Sequence, residues 1–248
     1  MKILLSGCTG AMGRVITEVC QSKEGYEIVA GFAISDTGDL PYPVYMDIQD
    51  VQEEVDVVID FSNVDALASV LDFGVRRKVP LVIATTGLGD DEHEKIRQAA
   101  QEVPILQSGN MSLGVNTLLY IVEKLAASLG DFDIEVVEKH HRYKVDAPSG
   151  TAQMLAEAAR KGRQDIDRLV YGREGGDTKR QDGELGIHSI RGGTIVGEHS
   201  VIFAGEDEIV EIKHTALSKK VFAHGAFKAA DFIIGQKAGL YRMEDVMG

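Results

Sequence analysis

One short run of the sequence gathers residue types that move protons and bind anions. Two adjacent imidazoles, His140 and His141, are followed within four residues of His140 by Arg142 and Lys144. Imidazole titrates near neutral pH, so His140 is a candidate general acid. Lys144 brings a point charge that could bind or polarise a developing anion. This grouping indicates a site for an anionic substrate.

The run leads into a predicted helix start, Pro148-Ser149-Gly150-Thr151, whose free N–H groups suit a carboxylate. Two plainer interpretations remain open at this point. Adjacent histidines could ligate a metal, but the chain has no HExxH motif and no matching cysteine pair, so we expect no metal site. The run could also be a solvated polar loop.

Glycines at positions 7, 10 and 13 form a second motif, G-x-x-G-x-x-G, after an apolar run and before a helical pattern. Such glycines let the chain turn, let backbone N–H groups approach a pyrophosphate and let a helix pack on a strand. The motif predicts a dinucleotide site, and a tight strand-to-helix turn without a ligand is the alternative.

The ribose end of that site carries no diagnostic charge. Ala33 stands where an acidic residue would bind the diol of NAD, Asp36 lies three residues further, and no Arg or Lys lies between Gly31 and Tyr45 to hold a 2′-phosphate. We therefore expect a neutral pocket that accepts NADPH or NADH. Two further segments, Asp60-Phe61-Ser62 and Thr85-Thr86-Gly87, follow predicted strands and are expected at the same crevice.

The first half of the chain alternates strand and helix patterns. Apolar runs typical of buried parallel strands occur at Lys2–Ser6, Tyr26–Phe32, Val55–Phe61 and Pro80–Ala84, with helical spacing between them. The fold class predicted is α/β, with an N-terminal Rossmann-like, doubly wound parallel sheet.

The second half of the chain has a different hydrophobic pattern. From Gly186 to His214 the apolar period falls to two, which indicates a mostly antiparallel or mixed sheet with one wet face. Together with helices near 115–128 and 151–161 and a strand at 133–138, this predicts a smaller α+β domain. The last thirty residues are predicted to be helical and to pack back on the first domain, and 162–183 is predicted to be an exposed loop.

Composition excludes several classes of protein. The 248 residues include 26 Lys and Arg against 39 Asp and Glu, a formal net charge of −13, which disfavours nucleic acid and anionic membranes as partners. The two cysteines, Cys8 and Cys20, form no disulfide framework, and no apolar stretch reaches the length of a membrane span. We expect a cytoplasmic protein in a reducing compartment.

The run His140–Ala152, HHRYKVDAPSGTA, resembles the signature of the 4-hydroxy-tetrahydrodipicolinate reductase family, also called dihydrodipicolinate reductase, of lysine and diaminopimelate biosynthesis. The resemblance extends over nearly the whole chain. It includes Gly7–Gly13, Val58–Ser62, Thr85–Gly87, Gly109–Asn116, Ile187–Gly193, Val196–His199, Phe222–Ala226 and Asp245-Val246.

The resemblance implies NAD(P)H-dependent reduction of 4-hydroxy-tetrahydrodipicolinate, a small dianionic cyclic substrate, to tetrahydrodipicolinate with loss of water. It implies a dinucleotide-binding domain of residues 1–109 and 218–248 and a substrate-binding and oligomerisation domain of residues 110–217. Hinges would lie near Asn110 and Ser218. It also implies a homotetramer built by stacking the second-domain sheets.

The resemblance further implies roles for individual residues. His140 would donate or accept a proton, Lys144 would donate a second proton or stabilise an anion, and His141 with the Gly150 and Thr151 amides would hold a substrate carboxylate. The cofactor would be bound by Gly7, Cys8, Thr9, Gly10, Ala11, Met12, Ala33, Ala84, Thr85, Thr86, Ser108, Gly109, Asn110 and Met111.

The chain departs from the family pattern on the cofactor side, where Ala11, Ala33 and Ala84 replace the usual Arg, acidic residue and Gly. These departures bear on the choice of coenzyme. Two rival functions follow from the residues alone: a dehydrogenase for another small dicarboxylate or imino acid, and a non-catalytic dinucleotide sensor that binds NAD(P)H without turnover.

Overall fold

A computed structural model describes all residues from 1 to 248. The chain divides into two compact units, one formed by residues 1–113 and 219–248 and the other by residues 114–218. The strands are β1 Lys2–Ser6, β2 Glu27–Phe32, β3 Val44–Tyr45, β4 Val57–Asp60, β5 Leu81–Ile83, β6 Pro104–Gln107, β7 Asp133–His140, β8 Arg168–Tyr171, β9 Glu184–Arg191, β10 Gly197–Ala204, β11 Ile209–Ala216 and β12 Gly239–Tyr241. The helices are α1 Ala11–Gln21, α2 Val64–Arg77, α3 Asp90–Ala99, α4 Leu113–Ser128, α5 Gly150–Gly162, α6 Lys220–Ile233 and α7 Met243–Met247.

The first unit is built on a seven-stranded sheet in the order β12-β6-β5-β4-β1-β2-β3, with every neighbouring pair parallel. Ile3 and Leu5 pack with α1 and α6 on one face, and Leu4 packs with α2 and α3 on the other. Burial on both faces explains the continuous apolar runs of the central strands. The predicted doubly wound sheet is confirmed.

The C-terminal segment completes this unit. Helix α6 packs against α1, and the Tyr26 hydroxyl donates to Asp231 at 2.8 Å. Gly225 allows the approach, because a Cβ there would lie 1.7 Å from the Met111 carbonyl oxygen. The prediction of helix alone for the last thirty residues was wrong, since Gly239–Tyr241 forms an edge strand parallel to β6. Three residues are too few to show a period in the sequence.

The second unit contains a five-stranded sheet in the order β11-β10-β7-β9-β8. β7 is antiparallel to β10 and parallel to β9, so the predicted mixed sheet is confirmed. Helices α4 and α5 cover one face, where their apolar side chains pack on Ile134 and Val136. The loop predicted at 162–183 contains strand β8, which is parallel to β9 and corrects that prediction.

Strand β7 alternates strictly between buried and half-buried residues after its exposed first residue. Ile134 and Val136 are followed on the buried face by Glu138 and His140, so the strand that builds the core also brings these two polar side chains inside. None of the helices combines the length and the apolar character that a membrane crossing needs.

Candidate active site

The glycine turn after β1 has the geometry that its motif predicts. Gly7 has φ +78°, a left-handed conformation that favours glycine, and its N–H donates to the Phe32 carbonyl at 2.8 Å. A Cβ on Gly13 would lie 2.4 Å from the Gly7 carbonyl oxygen. Glycine is therefore needed at position 7 for the turn and at position 13 for the close packing of α1 on it.

Helix α1 begins directly at this turn. Its N-cap, Gly10, has no side chain to bond the first amides, and the first turn of the helix has no acidic residue. An uncapped N-terminus with a positive dipole end suits an anion such as a pyrophosphate. A cleft of about 220 Å³ beside the turn is lined by residues of which none is charged: Gly7, Thr9, Gly10, Phe32, Ala33, Ile34, Phe61, Ser62, Asn63 and Ala66.

A buried carboxylate joins the carboxyl ends of β4 and β5. Asp60 is fully buried and accepts hydrogen bonds from the Thr85 hydroxyl at 2.6 Å and from the Ser62 hydroxyl at 2.5 Å. Thr85 is buried and Thr86 is exposed. The predicted cofactor residues at the ends of β1, β2, β4 and β5 thus follow the strand ends of one parallel sheet.

The segment after β6 is a turn held by its own side chains. The Ser108 hydroxyl donates to the Asn110 carbonyl oxygen at 2.8 Å, and the Ser112 N–H donates to the Asn110 side-chain oxygen at 2.9 Å. Ser108, Asn110 and Met111 are buried. This turn follows the strand next to β5 in the sheet, so it lies at the same edge as Thr85.

The loop after β2 carries an ion pair that the sequence did not reveal. Ala33 is buried, as a neutral pocket requires, and Arg14 of α1 donates to the Asp39 carboxylate at 2.7 Å. Hydrogen bonds from Arg14 and Thr37 hold the pKa of Asp39 at about 2. Arg14 lies in α1, outside residues 31–45, and only the fold brings it to this loop.

In the second unit, Glu138 is the most buried charged residue near the predicted catalytic run. Both terminal guanidinium nitrogens of Arg191 donate to the Glu138 carboxylate, at 2.7 and 2.8 Å, and the Ser149 N–H donates to it at 3.1 Å. His140 Nδ1 lies 2.6 Å from the same carboxylate. Burial would raise the pKa of Glu138, but the hydrogen bonds from Arg191 and His140 outweigh it and lower that pKa to about 2.

A second histidine stands beside His140. The ring of His199 on β10 meets the His140 ring edge to face, with centroids 5.2 Å apart, and its Nε2 lies 2.9 Å from the Ser149 hydroxyl oxygen. Burial lowers the pKa of His199 to about 4 and lowers that of His140 below 6.5. Both rings are therefore neutral at neutral pH.

The predicted substrate residues lie in the β7–α5 loop and the first turn of α5, and within that loop the Lys144 ammonium donates to the Asp146 carboxylate at 2.7 Å. The loop is anchored to the end of β9, since the Gly192 N–H donates to the His140 carbonyl and the Arg142 N–H to the Gly193 carbonyl. Ser149 caps α5 by accepting from the Ala152 N–H, so Gly150 and Thr151 form its first turn.

Sequence reasoning did not assign a role to Glu138, Arg191 or His199. Glu138 had a usable signal, because the period of two places it on the face of His140. Arg191 and His199 had none, since their approach depends on the pairing of β9 and β10 with β7.

Two family models match this chain end to end: residues 1–111 match the N-terminus of dihydrodipicolinate reductase, and residues 114–247 match its C-terminus. The chain belongs to the dihydrodipicolinate reductase family. A 4-hydroxy-tetrahydrodipicolinate reductase from Caldanaerobacter subterraneus subsp. tengcongensis is 48% identical over 100% of this chain and 98% of its own. Another, from Clostridium tetani, is 45% identical over 98% of this chain and 96% of its own.

Among solved structures, a dihydrodipicolinate reductase from Paenisporosarcina sp. TG-14, bound to dipicolinate, superposes with a TM-score of 0.81 at 22% identity. The match covers 99% of this chain and 98% of that one, and it establishes a common fold. As a member of the dihydrodipicolinate reductase family, the chain is an NAD(P)H-dependent oxidoreductase. It reduces 4-hydroxy-tetrahydrodipicolinate to tetrahydrodipicolinate, with loss of water, in lysine and diaminopimelate biosynthesis.

Proposed function

We propose that residues 114–218 bind the dianionic ring of the substrate at the β7–α5 loop, and that residues 1–113 with 219–248 bind NADPH or NADH. The observation that carries the proposal is the state of His140. One ring nitrogen is bound by the buried carboxylate of Glu138, while the other makes no hydrogen bond within the protein. A neutral imidazole with one fixed and one available nitrogen suits a proton carrier.

The reaction requires a proton to be removed from the substrate ring and a proton to be added to it later. Loss of water removes a C–H proton and releases the hydroxyl group with another proton, and the subsequent reduction adds a hydride and a proton to the ring. Bound NAD(P)H supplies the hydride. His140 Nε2 takes the C–H proton and returns it to the reduced ring, and the Lys144 ammonium protonates the departing hydroxyl group or stabilises the anion. The net reaction consumes one proton and releases one water.

Substrate carboxylates are held by the same loop. His141 directly follows His140, and the first turn of α5, at Gly150 and Thr151, presents backbone amides and the positive end of a helix dipole. A helix of thirteen residues supplies this dipole. One carboxylate is bound by His141 with these amides, which fixes the ring relative to His140 and Lys144.

The cofactor is held by the strand ends and the glycine turn of the first unit. Gly7, Cys8, Thr9, Gly10, Ala11 and Met12 hold the pyrophosphate, Ala33 borders the ribose, and Ala84, Thr85, Thr86, Ser108, Gly109, Asn110 and Met111 meet the nicotinamide half. The uncharged cleft and the uncapped α1 N-terminus support this assignment. The absence of charge in the cleft lining also fits acceptance of both coenzymes.

Two substitutions test the assigned chemistry. His140→Gln and Lys144→Ala should each lower kcat by about 100-fold or more, because each removes a proton donor or acceptor, while the Kd for NADPH should change little. Steady-state kinetics and coenzyme fluorescence titration measure the two effects. Full turnover in both variants, with tight coenzyme binding, would show that the chemistry is assigned to the wrong residues.

A coupled assay tests the substrate itself. Aspartate semialdehyde, pyruvate and the synthase of the preceding step would generate the substrate, and oxidation of NADH and of NADPH would be followed in separate reactions. Oxidation of either coenzyme that depends on the synthase supports the proposal. A chain that binds NAD(P)H but oxidises neither under these conditions would instead be a non-catalytic sensor.

We also propose that the sheet face opposite α4 and α5 joins copies of the chain into a homotetramer in the cytoplasm. This face carries Val137 and Ile202 together with the exposed Ile190 and Ile209, and no helix of the unit covers it. Light scattering on the eluting protein would measure the mass in solution. A monomeric mass at assay concentrations would rule the tetramer out.

A further inference from the structure

Both oxygens of the Glu138 carboxylate accept hydrogen bonds. Arg191 donates to both oxygens, the Ser149 N–H donates to Oε1, and His140 Nδ1 lies 2.6 Å from Oε2. A carboxylate surrounded in this way is ionised and can only accept. The contact with His140 is therefore a hydrogen bond in which Nδ1–H is the donor.

This contact sets the protonation pattern of the His140 ring. In a neutral imidazole one nitrogen carries the proton and the other is an acceptor. Because Glu138 requires the proton on Nδ1, the acceptor is Nε2. Nε2 faces the backbone of Gly197, where a Cβ would lie 3.2 Å from it. The His140 side chain is 11% exposed, and glycine at position 197 leaves room beside Nε2.

The charged and titratable groups around the ring come from several elements. Glu138 lies on the same strand, Arg191 on β9, His199 on β10 and Lys144 in the loop before α5. His214 on β11 pairs with His199 and lies one strand further away. Of the four groups nearest the ring, Glu138 alone favours the imidazolium, while the two cations disfavour it and burial keeps His199 neutral.

We propose that Glu138 is a positioning residue for the reductase reaction: it holds His140 with its proton on Nδ1 and its free Nε2 facing the substrate. The proposal rests on the role of His140 given above. Glu138 is fully buried, so it acts on the reaction through the groups that it binds, of which His140 is the one proposed to touch the substrate.

Arg191 extends the same arrangement to the second catalytic group. One of its guanidinium nitrogens donates both to Glu138 and to the Asp146 carbonyl oxygen, at 2.6 Å for the latter. The Asp146 side chain in turn binds the Lys144 ammonium. One buried ion pair thus fixes the ring that carries the proton and the loop that carries the cation.

The protonation pattern can be measured without altering the enzyme. The protein contains seven histidines, and 15N labelling of histidine distinguishes a protonated from an unprotonated ring nitrogen. The His140 signals are those missing from the spectrum of His140→Gln. The wild-type enzyme should show His140 protonated at Nδ1 near neutral pH, and a ring protonated at Nε2 would overturn the proposal.

Glu138→Gln should then disturb both the ring and the rate. The His140 signals should show a mixture of the two neutral forms, and kcat should fall about 100-fold, as for other residues that orient a catalytic histidine. The KM for substrate should change by less than about threefold, because Glu138 does not touch the substrate. Since Glu138 favours the imidazolium, its loss should move the acidic limb of the pH–rate profile to lower pH.

Two further variants keep the result interpretable. Glu138→Asp retains the negative charge opposite Arg191, so it should fold even if Glu138→Gln does not. It should also lose the fixed Nδ1–H form, because the shorter side chain moves the carboxylate away from the His140 ring. Glu135→Gln is the matched control, since Glu135 lies on the other face of the same strand and also contacts a histidine, His188, at 2.8 Å. It should leave kcat and the His140 signals unchanged.

The outcomes separate this inference from the proposed function. If His140→Gln is inactive but Glu138→Gln keeps full kcat, or loses kcat with the His140 signals unchanged, the positioning role is wrong and the role of His140 stands. If His140→Gln retains full turnover, the role of His140 in the chemistry is wrong, whatever Glu138 does to the ring.

Discussion

Each of the two units contains a buried carboxylate that fixes the side chains hydrogen-bonded to it. Asp60 and Glu138 are both fully buried, and each accepts at least one hydrogen bond from a distant segment of the chain. A buried carboxylate is costly unless it is fully hydrogen-bonded, so each one fixes the side chains that satisfy it. Asp60 holds Thr85 at the proposed nicotinamide site, and Glu138 holds His140.

Thr85→Val is a test of this principle at a single hydrogen bond. The substitution keeps the shape of the side chain and removes the donor to Asp60, which should lower the free energy of unfolding by about 1–3 kcal/mol. Chemical denaturation followed by circular dichroism measures the loss. Thr86→Val is the control for stability, because Thr86 is exposed. Equal denaturation midpoints for Thr85→Val and the wild type would contradict the role given to Asp60.

Residue types and spacing were sufficient to nominate His140 and Lys144 as candidates, because imidazole and ammonium groups before a helix start indicate a defined chemistry. They were not sufficient to find the groups that hold them. Arg191 is 53 residues from Glu138 in the sequence, and Arg14 is 25 residues from Asp39. Such pairs depend on strand order and register, which no local pattern encodes.

At the scale of the elements, a contact between His199 on β10 and Ser149 at the start of α5 should make the stability of the fold depend on pH. His199 is 4% exposed, and its Nε2 contacts the hydroxyl group that caps α5. Its pKa in the folded protein, about 4, lies well below the ordinary value of 6.5. As the pH falls below 6.5, His199 becomes protonated in the unfolded chain, but in the folded protein it stays neutral down to about pH 4. The free energy of unfolding therefore decreases between these two pH values.

The expected loss is about 2 kcal/mol in the free energy of unfolding between about pH 7 and about pH 5. Because the chain has no tryptophan, circular dichroism is the appropriate measurement. His199→Gln should flatten the pH dependence, whereas His224→Gln, at an exposed position of α6, should leave it as in the wild type. A wild-type stability that does not change over this range would show that His199 is not held neutral by the fold.

The central strands and the long helices were predicted from their sequence patterns, and the edge strands β8 and β12 were missed. The continuous apolar runs and the period of two gave the central parallel strands and the mixed sheet, since burial on two faces or one imposes those patterns. Strands β8 and β12 have four and three residues. They are strands because a neighbouring strand offers its edge, and that information lies outside the segment.

At the scale of the whole molecule, the first unit is assembled from two separated pieces of chain. Residues 219–248 supply α6, whose buried side chains complete the apolar layer on one face of the seven-stranded sheet. The patterns predicted two domains with the C-terminal helix packed back on the first, and the family resemblance implied the same assignment.

Removal of that piece should disable the first unit. A chain ending at residue 218 would leave the α1 side of the sheet without Ala223, Ala226 and Phe227, all of which are buried. The shortened chain should bind the dye ANS at its exposed apolar surface. Its apparent Kd for NADH should rise at least about 10-fold, because only the correctly folded fraction of the protein binds the coenzyme. A chain ending at residue 237, which lacks only β12 and α7, should retain more of the coenzyme binding. Unchanged NADH affinity in the shorter chain would show that α6 is dispensable.

The discontinuity also sets an order of events at the ribosome. Residues 114–218 form one uninterrupted segment, so all of that compact unit has been synthesised before residues 219–248. The nucleotide-binding half begins first but must wait for the final thirty residues, so its apolar sheet face stays uncovered through most of synthesis. The segment that is synthesised first therefore lacks part of its apolar layer until residues 219–248 have been added.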